Sequence, residues 1–115
     1  SEQQIATELF LHWPSVEGGL IVLYAVFVAP LVEELLFRGF FLPPLIERLG
    51  AWGGIVVTAV LFGLMHLSDP LVVPPLVLLG VALGWLRHRS GSVWTSLALH
   101  MLNNGLAVAS VLLLE

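Results

Sequence analysis

The 115-residue sequence has no cysteine and no lysine, and four arginines are its only strong bases. The lack of thiols excludes cysteine catalysis, disulfides and thiolate metal sites. Charged residues make up only 10% of the chain, whereas a typical soluble domain carries about a quarter. The formal net charge is -4. Binding to nucleic acid requires a basic face, so this class of function is also excluded.

Apolar residues dominate what is present: they make up 58% of the sequence, and the mean hydropathy is +1.01. Glycine, proline and polar residues divide them into four runs, at 18–49, 51–67, 71–86 and 93–114. A helix needs roughly 20 apolar residues to cross a bilayer, and shorter spans are accommodated by a thinner membrane or by tilt. The sequence therefore predicts an all-α, polytopic membrane helical bundle with about four transmembrane helices. A soluble all-α domain is disfavoured, because almost no polar helix face is left to meet water.

The chain is predicted to have two parts. Residues 1–17 are mixed and polar, which is typical of a polar or interfacial segment, and residues 18–115 form the transmembrane core. We expect a multi-pass integral protein of the plasma membrane. The loop arginines Arg48, Arg87 and Arg89 fall on one side of four spans, and the positive-inside rule places that side in the cytoplasm.

Polar side chains interrupt three of the four apolar runs. They are Glu33, Glu34, Arg38, His66, His100 and Asn104. An ionisable group inside a hydrocarbon span costs about 2.5–3.5 kcal/mol, so such residues are candidates for function. One such residue alone often only joins two helices. At a helical rise of about 1.5 Å per residue, however, these six lie at similar depths, and the pattern predicts one shared polar site.

Helical spacing indicates which of these residues are neighbours. Glu34 and Arg38 are four residues apart and share a face, so they are predicted to neutralise each other. Glu33 is rotated from Arg38 by about 140° and is left as the free carboxylate. A carboxylate in such apolar surroundings suits a general base near neutral pH.

The two histidines inside the apolar runs also have partners at helical spacing. His100 and Asn104 are four residues apart, so both are predicted to face one cavity. Phe62 and His66 repeat this spacing, and Phe62 is predicted to form an apolar wall. Other protease chemistries are excluded: the chain has no HExxH and no GxSxG motif, and its single aspartate cannot form an aspartyl dyad.

Three short motifs carry a resemblance to a known family. They are EELLFR (33–38), which fits EExxxR, FGLMH (62–66), which fits FxxxH, and HMLNN (100–104), which fits HxxxN. Their order and spacing resemble the CAAX prenyl protease and bacteriocin-processing family (CPBP or Abi), which includes the Rce1-like prenyl endopeptidases. The resemblance covers about residues 18–112. It implies a multi-span α-helical intramembrane endopeptidase that acts on a peptide or protein substrate in the lipid bilayer, with or without a lipid group on that substrate.

The resemblance also implies a role for each motif residue. Glu33 would activate the attacking water with the help of His66. His100 and Asn104 would stabilise the oxyanion or hold the site, with Glu34 and Arg38 in support. Two histidines and a glutamate could ligate Zn²⁺, but a metal-free, Glu- and His-activated water is favoured, so no cofactor is expected. The alternative function is a non-enzymatic membrane immunity or partner-binding protein that keeps the same residues as a structural network.

Overall fold

The computed structural model describes residues 2–114, without the side chains of Glu2, Gln3, Phe10 and His12. Every regular element in this range is helical. The α-helices are α1 (Glu2–His12), α2 (Val16–Leu23), α3 (Ala29–Glu34), α4 (Leu42–Leu64), α5 (Val73–Ser90) and α6 (Val93–Leu114). Two π-helical segments, Tyr24–Val28 and Leu35–Phe41, make α2, α3 and α4 continuous, and a 3-10 turn, Pro70–Val72, precedes α5.

Among the described residues, three continuous helices are long and apolar enough to cross a membrane: Val16–Leu64, Pro70–Ser90 and Val93–Leu114. Large apolar side chains also cover the outer surface, as Phe40 and Leu78 illustrate with exposures of 69% and 72%. Such a surface suits lipid rather than water. The predicted all-α membrane bundle is therefore confirmed.

Gly50 divides the longest of these helices into two limbs, residues 16–49 and 51–64. Its backbone is non-helical, with φ 80 and ψ 170, a conformation that glycine adopts without steric cost. The chain reverses there, since Gly54 lies directly against the backbone of Ile46. The predicted boundary at Gly50 is thus confirmed, and the three continuous helices contain the four helical runs that the sequence predicts.

The prolines of the first limb widen the helix without ending it. A proline ring crowds the carbonyl four residues earlier, and for Pro30 and Pro43 that carbonyl lies inside a π-helical segment. The N–H group of Ala29 bonds the Tyr24 carbonyl, and that of Leu42 bonds the Phe37 carbonyl, five residues back in both cases. The wider π turn accommodates the proline ring, so the first limb runs unbroken past Glu33 and Arg38.

The remaining helices close the bundle around this hairpin. Helix α5 packs along α4, with Gly80 against Ala59 and Gly84 against Ile55. Helix α6 packs against α3 and α5. Glu33 and His66 are almost equally far along the chain from Gly50. The reversal therefore brings these two residues to the same level of the bundle.

Candidate active site

Glu33, on the first limb, and His66, in the turn just after the second limb, form a partly exposed pair. His66 Nε2 lies 3.7 Å from Glu33 Oε2, and the two side chains are 24% and 25% exposed. The other ring nitrogen, Nδ1, is 3.0 Å from the Phe62 carbonyl, which can only accept, so Nδ1 carries the hydrogen. Nε2 is then the nitrogen that faces Glu33. A separation of 3.7 Å is too long for a direct hydrogen bond, but a water can bond to both atoms.

Glu34, one residue further along the helix, lies in a buried network. Its Oε1 accepts from Arg38 Nη1 at 3.1 Å and from His100 Nδ1 at 2.8 Å. Glu34 and Arg38 are fully buried, and His100 is nearly so. The predicted neighbour relation of Glu34 and Arg38 is therefore present. The packing of α6 against α3 also brings His100 onto the same oxygen, a contact that the four-residue spacing of Glu34 and Arg38 does not predict.

Arg38 also connects the network to α5. Its Nη2 donates to the Gly80 carbonyl at 3.2 Å, and its guanidinium carbon lies 4.6 Å from the centre of the Phe62 ring. Gly80 was not predicted as part of the site, because α5 offers a backbone carbonyl here instead of a functional side chain. The spacing of Gly80 and Gly84 is the signal that could have found it, since small residues four apart are typical of close helix packing.

Phe62 contacts both histidines of the site. Its ring meets the His66 ring edge to face with centroids 5.4 Å apart, and the His100 ring with centroids 5.7 Å apart. Phe62 itself is buried. The prediction that Phe62 forms an apolar wall is confirmed. Its ring contacts both the partly exposed pair, through His66, and the buried network, through His100.

Asn104 bonds to the first limb through the backbone. Its Nδ2 donates to the Ala25 carbonyl at 2.8 Å, and its Oδ1 accepts from Asn103 at 3.4 Å. The structure therefore brings Glu33 together with His66, and Glu34 together with Arg38 and His100, while Asn104 ties α6 to the first π-helical segment. One hydrogen of this amide, the donor that the resemblance assigns to an oxyanion, is therefore engaged with a backbone carbonyl.

The positions of Glu33, His66 and His100 bear on whether the site could hold a zinc ion. Of the three potential ligands, Glu33 and His66 lie together, but His100 directs its Nδ1 at Glu34. Within the described part of the chain, no group of three His, Asp or Glu side chains is arranged to hold a metal ion. The donor set therefore does not fit the three-ligand site that catalytic zinc requires. The metal-free mechanism stays a prediction.

The chain matches a known protein family over most of its length. The model of one family, described as type II CAAX prenyl endopeptidase Rce1-like, matches residues 15–106. No significant match was found among curated proteins or among solved structures. The matched range contains every residue of the exposed pair and the buried network, together with Asn104. The chain is an integral membrane protein that belongs to the Rce1-like family of type II CAAX prenyl endopeptidases.

Proposed function

We propose that this protein is an intramembrane endopeptidase in which Glu33 and His66 activate the water that attacks the peptide bond. The observation that carries the proposal is the contrast in exposure between the two adjacent glutamates. Glu33 is 25% exposed and faces His66, whereas Glu34 is fully buried in the network. A general base must reach water and substrate, and only Glu33 of the two meets this condition.

The reaction follows from the atoms that face each other. A water bonded between Glu33 Oε2 and His66 Nε2 loses a proton to the Glu33 carboxylate as its oxygen attacks the substrate carbonyl. The tetrahedral intermediate then collapses, the C–N bond breaks, and the leaving amine takes the proton back from Glu33. His66 orients the water through Nε2, because its Nδ1 hydrogen is held by the Phe62 carbonyl. General acid and base catalysis of this kind contributes about 10²–10⁴-fold.

His100 and Asn104 are proposed to stabilise the oxyanion of this intermediate. An amide Nδ2 carries two hydrogens, and one of those on Asn104 is used by the Ala25 carbonyl. The second is the one offered to the oxyanion. His100 holds Glu34 through Nδ1, so its proposed contact with the oxyanion is through the other ring nitrogen, Nε2. Each such donor is typically worth about 10²–10³ in turnover.

Glu34 and Arg38 are proposed to act through His100 without touching the substrate. The Glu34 carboxylate fixes the orientation of the His100 ring, and Arg38 holds that carboxylate while bonding α5 through the Gly80 carbonyl. A mechanism without a metal is proposed, because no three of the described His, Asp and Glu side chains are arranged to hold a metal ion. The chemistry requires no other cofactor.

The proposed substrate is a peptide or protein in the membrane, and the family description supports one that carries a prenyl group near its C-terminus. The lipid-compatible outer surface of the bundle suits such a partner, and the plasma membrane is the proposed location. The test is incubation of the purified protein in liposomes with a prenylated CAAX peptide and with the same peptide lacking the prenyl group. Mass spectrometry should show hydrolysis of one peptide bond, faster with the prenylated peptide. Cleavage of neither peptide at any enzyme concentration would contradict the proposal.

A further inference from the structure

A cavity that takes no part in the proposed reaction lies near the reversal at Gly50. Its volume is about 210 Å³. The lining residues are Leu42, Pro43, Ile46, Arg87 and His88. One wall, from α4, is therefore apolar, and the other, from the last turn of α5, is basic. A cavity of this composition fits a ligand that joins an anionic group to an apolar one.

Arg87 differs from the other basic residues at the end of α5. The Nε atom of Arg87 is buried and has no hydrogen-bond partner among the residues that the structure describes. An unpaired buried donor is costly, the more so on a charged group. The partial negative charge at a helix C-terminus favours cations there, which accounts for exposed Arg89 as well as for Arg87. It does not supply an acceptor for Arg87 Nε, and the same side chain lines the cavity.

Tryptophan side chains place this end of the bundle at a membrane surface. Trp52 follows Gly50, Trp85 lies near the end of α5, and Trp94 lies near the start of α6. Their exposures are 59%, 45% and 65%. Exposed indole rings collect at the headgroup level of a bilayer, so Arg87 and His88 lie at the level where lipid phosphates are found.

We propose that this cavity binds the phosphate group of an anionic phospholipid. Arg87 supplies the planar, fork-shaped donor that suits phosphate oxygens, and His88 supplies a second ring donor. The apolar wall of Leu42, Pro43 and Ile46 receives the adjoining apolar part of the lipid. Basic pockets between transmembrane helices bind lipid headgroups in this way. A free phosphate ion would share the charged contacts but leave the apolar wall unused, and the wall therefore favours the lipid.

The test is lipid retention, measured by native mass spectrometry on the full chain. The protein is purified in detergent containing either phosphatidylglycerol or phosphatidylcholine. Arg87→Gln is compared with Arg89→Gln, which removes the same charge from an exposed site at the same helix end. Wild type and Arg89→Gln should retain phosphatidylglycerol over phosphatidylcholine, and Arg87→Gln should retain about tenfold less of it, the loss expected for a hydrogen bond to a charged group. Should Arg87→Gln fail to fold, His88→Leu, at an exposed position of the same cavity, takes its place and should also lower retention.

Three results would overturn the proposal. Equal retention of the two lipids by wild type would show that the cavity does not select an anion. Equal loss in Arg87→Gln and Arg89→Gln would assign the binding to general surface charge. Displacement of phosphatidylglycerol by millimolar inorganic phosphate, in proportion to its concentration at constant ionic strength, would identify a soluble anion as the ligand. Persistence of the bound lipid in phosphate supports the lipid site.

Discussion

Glu33 Oε2, on the first limb of a helical hairpin, lies 3.7 Å from Nε2 of His66, in the turn just after the second limb, and both side chains remain partly exposed. Glu34, the next residue, accepts hydrogen bonds from Arg38 and His100 and is fully buried. Adjacent helical residues diverge by about 100° around the axis, which is enough to put the two carboxylates in different surroundings. The chain thus separates a partly exposed carboxylate from a buried one that holds helices together.

The partly exposed position of His66 leads to the first prediction. His66→Gln should lower turnover by about 10²–10⁴-fold, because the water loses its second acceptor. The unfolding midpoint should change little, since the ring is 24% exposed and makes one hydrogen bond, to the Phe62 carbonyl. Peptide cleavage and thermal unfolding in the same detergent check both parts. A variant that is fully active, or one that is inactive only because it unfolds, would contradict the role assigned to His66.

The second prediction concerns the shared Glu34 Oε1. The stability changes of Glu34→Gln and His100→Gln should not add, because each removes the other's partner. We expect a coupling of about 0.5–3 kcal/mol in a double-mutant cycle. The control cycle pairs His100→Gln with Arg89→Gln. Because His100 lies in the buried network and Arg89 is exposed at the end of α5, these two stability changes should be additive within about 0.3–0.5 kcal/mol. Additivity in both cycles would mean that the 2.8 Å contact contributes nothing to stability.

The third prediction tests the close approach of α5 to the network. A methyl group added at Gly80 would lie 2.9 Å from the Ala59 Cα and 3.1 Å from Arg38 Nη2. Gly80→Ala should therefore destabilise the protein by about 1–3 kcal/mol, as overpacking typically does. Gly19→Ala is the matched control, because nothing lies within 4 Å of its added methyl group, and it should not be destabilising. Equal unfolding midpoints for the two variants would show that α5 is not packed this closely.

The parts of the fold that follow from local rules could be predicted from the sequence. Long apolar runs predict spans, Gly50 predicts the reversal, and four-residue spacing predicts the neighbours Glu34 and Arg38. The bonds of Glu34 to His100 and of Arg38 to the Gly80 carbonyl could not be predicted. They depend on how one helix is rotated against another, and neither spacing nor composition fixes that rotation. The π-helical segments were missed for a related reason, because a proline alone does not show whether the helix kinks, breaks or widens.

The fourth prediction concerns metal dependence. Activity should survive exhaustive chelation, and purified active protein should contain no stoichiometric zinc, because no three of the described His, Asp and Glu side chains are arranged to hold a metal ion. Elemental analysis and peptide cleavage on the same preparation check this. Stoichiometric zinc, with activity lost on chelation and restored by zinc, would show that the metal-free mechanism is wrong.

The most direct test compares Glu33→Gln with Glu34→Gln in peptide cleavage and thermal unfolding. Glu33→Gln should retain the wild-type unfolding midpoint and lose about 10²–10⁴-fold in turnover, the contribution of a general base. Glu34→Gln should unfold more easily by about 3–5 kcal/mol, because Arg38 loses its buried charge partner. If Glu33→Gln cleaves the peptide at the wild-type rate while a folded Glu34→Gln is inactive, the two glutamates have the opposite roles and the central claim fails.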